Sequence, residues 1–402
     1  MNSLPGPSSS GQSLPGRRLL PLMLVMFLIG AAEVVASPMM APMGESFGVP
    51  PARIAWMPAA YALVYALSAP LFGPLSDRLG RKALLLPALV GFAIANAGIA
   101  LAPLFAIALP CAALAGLSGA AMQPNAMAIV ADTVDAPRQP AAMGRILAGL
   151  TVSFVLTPAC AALVAARLDW RRAYAAMSVA ALLAAAAVAT MPLPRPGPRP
   201  RIGVAGSIAA AFRQAGAAPR LLATFLWLGV SVGVITVMAE ILRRRYGLPI
   251  EALGLAMGLF GLATIAGNLL IPAVVHWLGS PSRAVLAGIA GTIAGILALG
   301  VLPPLPVPLA VAAAALWALG YGIAGPTHQA VLAGMAAPLR GTLVALTASL
   351  LNLGIVAVAF GAGRFFDTLG IEATIGVAAV AVVAGFGLLL SVERHGTRPA
   401  PV

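Results

Sequence analysis

Long apolar stretches alternate along this chain with short clusters of arginine, glycine and proline. A helix that crosses a bilayer needs about 20 mostly apolar residues, and twelve stretches meet that length. Their approximate cores are residues 19–41, 54–75, 83–102, 104–130, 143–165, 173–191, 221–241, 252–276, 284–302, 307–330, 342–363 and 373–391. The pattern therefore predicts an all-α membrane protein with twelve transmembrane helices. The run after Arg18 counts as a span because it has no clear signal-peptide cleavage site.

The longest polar interruption is rich in proline and arginine and falls between the sixth and seventh spans. It divides the spans into two groups of six. The predicted parts are a disordered N-terminal tail (1–16), an N-terminal six-helix bundle (17–191), a cytoplasmic linker (192–218), a C-terminal six-helix bundle (219–391) and a C-terminal tail (392–402). PLSDRLG at 74–80 matches AVVHWLG at 273–279, which favours two pseudo-symmetric bundles that face each other across a central path.

Composition excludes a soluble globular protein, since 61% of the residues are hydrophobic, 9% are charged and the mean hydropathy is +0.99. In a soluble protein the net charge of +13 would suggest nucleic acid binding. Here most basic residues lie between apolar runs, as topology determinants do, so no nucleic acid partner is expected. Sixteen of the 24 basic residues fall on the side of both termini. This bias predicts a multi-pass protein of the bacterial inner (plasma) membrane with cytoplasmic termini.

Charge is concentrated in GPLSDRLGRK, residues 73–82, where four of ten positions are charged. Gly73 permits close approach of a neighbouring backbone, and Gly80 suits a tight turn. The Asp77 carboxylate can bind the partial positive charge of a helix N-terminus. The arginines can bind carboxylates or the carbonyls of a helix C-terminus. The alternative interpretation is a charge cluster that only sets topology.

The same stretch resembles the signature loop between helices 2 and 3 of the major facilitator superfamily, G-x-L-x-D-R-x-G-R-[KR], at every fixed position. The resemblance implies the major facilitator fold and transport by rocking of two six-helix bundles. It also implies that the loop latches the N-terminal bundle to helix 11 and releases it when the transporter switches. The gate residues predicted on this basis are Gly73, Asp77, Arg78, Gly80, Arg81 and Lys82.

Ten of the eleven acidic residues are placed in loops or at span ends, and Glu33 in FLIGAAEVVASPMM is the exception. A lone carboxylate in the hydrocarbon region is costly and tends to mark an ion or proton pathway. Without a basic partner it favours its protonated form, and it could exchange that proton for a cationic or polar substrate. Helical spacing places Met26, Gly30, Ser37 and Met40 on its face. The alternative is a glutamate that serves helix packing alone.

IGAAEVV resembles the G-x-x-E segment of the drug and sugar efflux branch, the twelve-span drug:proton antiporters, but two other segments depart from that branch. The helix 4 arginine of the branch is replaced by Ala112, so the proton-relay role of that arginine does not carry over. The helix 5 pattern keeps its proline and replaces its glycines by other small residues, namely Ser153, Thr157, Ala161 and Ala162. The direction of transport therefore stays open.

Intramembrane polar side chains seldom face lipid, so each is a candidate for interhelical contact or for the central path. The resemblance implies a path lined by helices 1, 4, 7 and 10, and partly by 2, 5, 8 and 11. The predicted cavity residues are Met40, Tyr61, Tyr65, Gln123, Asn125, Ser153, Thr157, Pro158, Trp227, Ser231 and Asn352. Tyr321 and Asn268 are further intramembrane polar residues, and His328 is interpreted as structural or solvated.

No phosphate loop, metal-ligand cluster or nucleophile–base arrangement occurs in the sequence, so we expect no enzyme activity, no cofactor and no metal. The predicted function is proton-coupled efflux of small amphipathic compounds by alternating access, as in multidrug resistance. The partners are then a small-molecule substrate, protons and the lipid bilayer, and the chain is expected to be a monomer. Two alternatives remain at this point, namely uptake or uniport of a small metabolite or sugar, and a membrane sensor that transports nothing.

Overall fold

The structure, a computed structural model, describes residues 19–135, 138–191, 204–336 and 339–396. Its α-helices in these ranges are α1 (Leu20–Val34), α2 (Met40–Phe47), α3 (Trp56–Leu79), α4 (Arg81–Leu101), α5 (Phe105–Thr133), α6 (Gln139–Arg167), α7 (Trp170–Ala189), α8 (Val204–Arg213), α9 (Ala217–Ala223), α10 (Val230–Tyr246), α11 (Ile250–Leu278), α12 (Pro281–Gly300), α13 (Val307–Gly334), α14 (Arg340–Phe365) and α15 (Gly370–Gly396). Two 3₁₀ turns, Ser37–Met39 and Pro51–Ala55, and a π-helical segment, Thr224–Gly229, connect some of them. The predicted tail 1–16 lies outside the described residues.

Twelve stretches of the described chain are long and apolar enough to cross a membrane, which confirms the predicted number of spans. They are Leu20–Phe47 (span 1), Pro51–Phe72 (span 2), Arg81–Leu101 (span 3), Phe105–Thr133 (span 4), Ala141–Arg167 (span 5), Trp170–Ala189 (span 6), Ala217–Tyr246 (span 7), Ile250–Leu278 (span 8), Pro281–Gly300 (span 9), Val307–Gly334 (span 10), Gly341–Phe365 (span 11) and Gly370–Arg394 (span 12). Successive spans run in opposite directions. We name the side that holds Leu19 and the end of span 12 the terminal side, and the opposite side the far side.

The two halves repeat one packing pattern. In the N-terminal half span 1 packs on span 5, span 3 on span 6, and span 4 on spans 2 and 3. In the C-terminal half span 7 packs on span 11, span 9 on span 12, and span 10 on spans 8 and 9. Each contact recurs six spans later, so the pseudo-symmetric six-helix bundles expected from the sequence are observed.

The halves meet mainly along two pairs of spans, 2 with 11 and 5 with 8, and span 7 also contacts spans 1 and 2. On the far side the Trp56 ring stacks on Phe360 at 5.5 Å between centroids, and Trp56 Nε1 donates to the Phe360 carbonyl oxygen at 3.3 Å. Gly254 of span 8 lies so close to Ala162 and Pro158 of span 5 that a methyl group at Gly254 would overlap them. Small residues therefore set the approach of the two halves at this end.

Three local expectations differ from the structure. Span 1 is not one continuous helix, because α1 ends at Val34 and a 3₁₀ turn with Pro38 follows. Pro38 has no N–H, so it cannot donate to the carbonyl four residues earlier. The predicted loop at 73–82 is mostly helical, since α3 continues to Leu79 and only Gly80 separates it from α4.

The third difference lies in the predicted linker, which contains the helix α8. Apolar side chains explain why it forms, because Ala211 of α8 is fully buried in a cluster on the terminal side of the C-terminal half. The other buried members of this cluster are Ala217, Leu221, Leu332, Leu343 and Leu346. The linker thus carries an amphipathic helix that docks on the ends of spans 7, 10 and 11.

Candidate functional site

Glu33 lies next to the interruption of span 1, in the last turn of α1. Its side chain is partly buried, and within the described part of the chain it makes no hydrogen bond or ion pair. Ser37 follows one turn later, and its hydroxyl is buried without a described partner. Helices that are interrupted at membrane depth are typical of substrate and ion sites, because unsatisfied polar groups there can face a ligand.

Three tyrosines lie within electrostatic reach of this carboxylate. Glu33 is close enough for its charge to act on Tyr61 and Tyr65 of span 2 and on Tyr321 of span 10. The Tyr65 hydroxyl donates to Gln123 Oε1 of span 4 at 2.5 Å, whereas the Tyr61 hydroxyl is buried without a described partner. The Tyr61 and Tyr65 rings lie 6.0 Å apart. Predicted residues of spans 1, 2 and 4 are thus brought together, and span 10 joins them.

Tyr321 marks the contact between the two halves. It packs against a buried cluster of Ala62 from span 2, Val232 from span 7 and Ile355 from span 11. Glu33, on span 1, is therefore within electrostatic reach of tyrosines from both halves. A charge at this position can respond to, or drive, their relative movement.

The methionines of span 1 form an apolar wall around the interruption. The side chains of Met26, Met39, Met40 and Met43 are at most 1% exposed. Gly30 points elsewhere, because it packs against Ser153 and Leu150 of span 5. The face drawn from helical spacing therefore ends in a helix contact at Gly30, and the place of Met40 beside Glu33 stays a prediction.

The predicted residues of span 5 lie in contacts between helices. Ser153 is fully buried and donates to the Leu150 carbonyl oxygen at 2.6 Å. The Thr157 hydroxyl is buried without a described partner. The Pro158 carbonyl packs against Gly254 where spans 5 and 8 meet. A role for these residues in the cavity stays a prediction.

In the C-terminal half the predicted residues cluster around the π-helical segment of span 7. Trp227 lies within that segment, is fully buried, and has an Nε1–H without a described partner. Ser231 donates to the Trp227 carbonyl oxygen at 2.5 Å. Asn352 of span 11 donates to the Ala348 carbonyl oxygen at 3.0 Å, which leaves Asn352 Oδ1 buried without a described partner. A π-helical turn of this kind is frequent at functional sites.

His328 is structural in the described arrangement. It is 2% exposed, its Nε2 lies 2.9 Å from the Thr224 hydroxyl, and its ring contacts Trp227 edge-on at 5.6 Å. A small cavity lined in part by His328, Arg220 and Glu393 lies within the C-terminal half. This cavity includes neither Glu33 nor the three tyrosines. We place the candidate site at Glu33 instead, because its carboxylate has no described partner and lies beside the interruption of span 1.

The predicted gate segment ties span 2 to spans 4 and 6. Gly80 has φ +96°, a conformation that favours glycine, which confirms the expected tight turn. Arg81 pairs with Asp132 of span 4 at 3.0 Å and donates to the Ser76 hydroxyl at 2.8 Å. The Ser76 hydroxyl also donates to Asn125 Oδ1. Asn125 thus contacts the gate segment, although the sequence placed it in the cavity.

Lys82 completes this segment by donating to backbone carbonyls at the end of span 6, those of Ala189 and, at 3.1 Å, Met191. Gly73 lies within α3, and the side chains of Asp77 and Arg78 lie outside the described part of the chain. The described partners of Arg81 and Lys82 belong to the N-terminal half, so the latch to helix 11 that the resemblance implies stays a prediction.

A buried carboxylate escaped the sequence analysis. Glu240, near the far end of span 7, is 1% exposed and binds Arg243 at 2.8 Å and Arg244 at 2.5 Å. Arg244 also binds Asp367 at 2.7 Å, which links span 7 to the loop after span 11. The E-x-x-R-R spacing was the available signal, because residues three and four apart share a helix face. These ion pairs neutralise two of the three consecutive arginines at the end of span 7.

Sequence comparison supplies the family. The model of the Major Facilitator Superfamily matches residues 22–359. The chain belongs to this superfamily. It is 29% identical over 379 residues to the uncharacterized MFS-type transporter YceJ of Bacillus subtilis (strain 168), covering 93% of this chain and 96% of that protein.

Solved structures agree on the fold. The human organic anion transporter MFSD10 (TETRAN) matches with a TM-score of 0.72 and 20% identity over 93% of this chain and 99% of its own. A D-xylose-proton symporter matches with a TM-score of 0.76 and 16% identity over 92% of this chain and 96% of its own. At these identities the likeness establishes the major facilitator fold, and this superfamily member is a multi-pass membrane transporter.

Proposed function

We propose that this transporter exports small amphipathic compounds in exchange for protons. The observation that carries the proposal is Glu33, a carboxylate without a described partner that lies next to the interruption of span 1. A carboxylate at membrane depth is retained at a cost of several kcal/mol, which is typical of an ion pathway. Its resemblance to the acidic residue of the efflux branch supports the same role.

Ala112 bears on which residues take part in proton coupling. It is 4% exposed and packs in the apolar core at the position where the efflux branch has its arginine. No guanidinium from span 4 therefore competes for Glu33 there. Glu33 alone then holds either a proton or the polar end of a substrate, and these occupants exclude each other. The Glu33 carboxylate releases its proton to one compartment and then binds the substrate. Export is therefore driven by the proton gradient.

The direction and the membrane are part of the proposal. Sixteen of the 24 basic residues fall on the terminal side, which supports cytoplasmic termini in a bacterial inner membrane. In the described arrangement the contacts between Trp56 and Phe360 and between spans 5 and 8 lie on the far side. Closure on that side suits a state that receives substrate from the cytoplasm, and rocking of the halves would then expose Glu33 to the outside.

The test compares wild type with Glu33→Gln at matched expression in an efflux-deficient bacterium. Accumulation of lipophilic cations, neutral antibiotics and sugars is measured with and without a protonophore. We expect the wild type to lower the accumulation of at least one compound, and both Glu33→Gln and the protonophore to abolish that effect. Glu251→Gln is the matched control, because Glu251 is exposed in the first turn of span 8.

Two results would contradict the proposal. Export that survives Glu33→Gln would show that the carboxylate does not couple transport to protons. Accumulation that rises with the wild type would show uptake instead of efflux.

A further inference from the structure

Two buried hydroxyl groups on spans 1 and 5 have no role in the proton exchange proposed above. Ser37, in the 3₁₀ turn that interrupts span 1, is 3% exposed, and Thr157 of span 5 is 8% exposed. Neither hydroxyl oxygen has a described hydrogen-bond partner. Burial of a polar group without a partner is unfavourable, so a group of this kind often marks a bound ion or water molecule.

The packing of span 5 on span 1 directs Thr157 towards the interruption. Gly149 of span 5 packs against the Met23 carbonyl oxygen, and Ser153, one turn later, packs against Gly30. Thr157 follows after one further turn on the same face, because residues four apart share a helix face. Span 5 also contacts the 3₁₀ turn itself. The two unpartnered hydroxyls therefore come from segments that pack against each other.

The interruption supplies a third oxygen. Pro38 has no N–H, so it cannot donate to the Val34 carbonyl oxygen four residues earlier. Helix α1 ends at Val34, and the negative end of its dipole lies there. In membrane transporters, unwound carbonyls and the C-terminal ends of broken helices coordinate Na⁺. Carbonyl and hydroxyl oxygens are also the kind of ligand that hard cations prefer.

The charge in this region favours a cation with a single charge. Glu33 precedes Val34 and brings one formal negative charge. In the described part of the chain, every arginine and the lysine lie in loops, in α8 or within two turns of a span end. The described residues also include no group of three acidic, histidine or cysteine side chains that could hold a metal ion. A divalent ion would therefore lack counter-charge, whereas a monovalent ion would be balanced.

We infer that the interruption of span 1 binds Na⁺, with the Val34 carbonyl oxygen and the hydroxyl oxygens of Ser37 and Thr157 as ligands. The inference goes beyond the proposed function, because none of these three oxygens takes part in the proton exchange at Glu33. The 3₁₀ turn also contacts spans 7 and 8 of the other half. A bound ion therefore stabilises the segment of span 1 at which the two halves meet.

The test measures the melting temperature of the full chain in detergent while NaCl, KCl and choline chloride are exchanged at constant ionic strength. A ligand that binds only the folded protein stabilises it by mass action. We expect Na⁺ to raise the melting temperature of wild type with a saturable dependence on its concentration, and K⁺ and choline to raise it less. Ser37→Ala and Thr157→Val each remove one ligand oxygen and should weaken the apparent Na⁺ affinity about tenfold or more.

Two further variants separate coordination from packing. Thr157→Ser keeps the hydroxyl and should keep the Na⁺ affinity within about threefold. Ser349→Ala is the matched control, because the Ser349 hydroxyl of span 11 is also buried without a described partner but belongs to the other half. It should leave the response to Na⁺ unchanged.

Stabilisation of wild type by Na⁺ that is no greater than that by K⁺ or choline would overturn the inference, since the hydroxyls would then bind water at most. A response to Na⁺ that survives both Ser37→Ala and Thr157→Val would also overturn it. Both results are distinct from failure of the proposed function, which is judged from flux and its sensitivity to a protonophore.

Discussion

The stack of Trp56 on Phe360 closes the far side between the two halves, and its removal should favour the arrangement in which that side is open. The rings are nearly parallel, at 13°, with centroids 5.5 Å apart, and Trp56 Nε1 donates to the Phe360 carbonyl oxygen at 3.3 Å. A stacked aromatic pair contributes about 0.5–1.5 kcal/mol, and a long, partly exposed hydrogen bond adds about 0.5 kcal/mol. Trp56→Ala should therefore cost this arrangement about 1–2 kcal/mol, which shifts the ratio of the two arrangements by about 5- to 30-fold.

The assay is pulsed electron–electron spin resonance in nanodiscs, which measures distances between two spin labels. The native free cysteines, Cys111 and Cys160, are first replaced by alanine. Labels are then placed at Leu104 and Leu369, which lie in far-side loops of opposite halves and are 60% and 63% exposed. We expect Trp56→Ala to increase the population with the longer distance.

Trp277→Ala provides the matched control for this measurement. Trp277 is 83% exposed near the terminal end of span 8, so the same loss of an indole there removes no far-side contact. If Trp56→Ala leaves the distance distribution of wild type unchanged, the stack does not stabilise the arrangement in which the far side is closed. The same conclusion follows if Trp277→Ala shifts the distribution as much as Trp56→Ala does.

Two further substitutions test contacts elsewhere. Glu240→Gln removes the charge between Arg243 and Arg244. It should lower stability by about 2–4 kcal/mol, because breaking a buried ion pair leaves uncompensated charge. Thermal unfolding in detergent measures this loss of stability. Glu372→Gln, at a 57% exposed carboxylate 3.6 Å from Arg245, should cost less than about 1 kcal/mol, and an equal loss would argue against the buried network. Gly254→Val should reduce transport at least about tenfold by forcing spans 5 and 8 apart. Gly376→Val meets no atom within 4 Å and should transport normally, and similar losses in both would contradict this account.

The spans were predictable because each depends on local composition. Hydrocarbon can be crossed only by a helix with an apolar surface, so every span leaves about 20 apolar residues in the sequence. The division into halves was predictable for a similar reason, since the linker between them is polar. Gly80 was predictable because a one-residue connection at φ +96° favours glycine.

The contents of the site were less predictable because they depend on neighbours that are distant in sequence. Tyr321 of span 10 packs on Ala62 of span 2 only because the two halves meet there. The sequence places Glu240 at a span end, and its burial depends on the packing of span 7 against other spans. The interruption after Val34 had a local signal in Pro38, but a proline near a span end is also compatible with an unbroken helix.

The two halves share their packing but not their charge. Span 7 occupies in the C-terminal half the place that span 1 occupies in the N-terminal half, since each packs on the fifth span of its own half. Span 1 carries its carboxylate beside an interruption and without a described partner. Span 7 carries Glu240 near its far end, where two arginines neutralise it. Only the N-terminal half thus has a described midspan carboxylate whose charge is free to change.

This asymmetry explains how one proton could move two bundles. A change of charge on Glu33 alters its interaction with Tyr61 and Tyr65, which move with its own half, and with Tyr321, which does not. Because Tyr321 belongs to the other half, its interaction with Glu33 changes when the halves move, and a ligand shifts an equilibrium only through such a difference. Tyr321→Phe should therefore leave coupling intact if the ring supplies this difference. If the Tyr321 hydroxyl supplies it, Tyr321→Phe should uncouple flux from the proton gradient while flux itself persists.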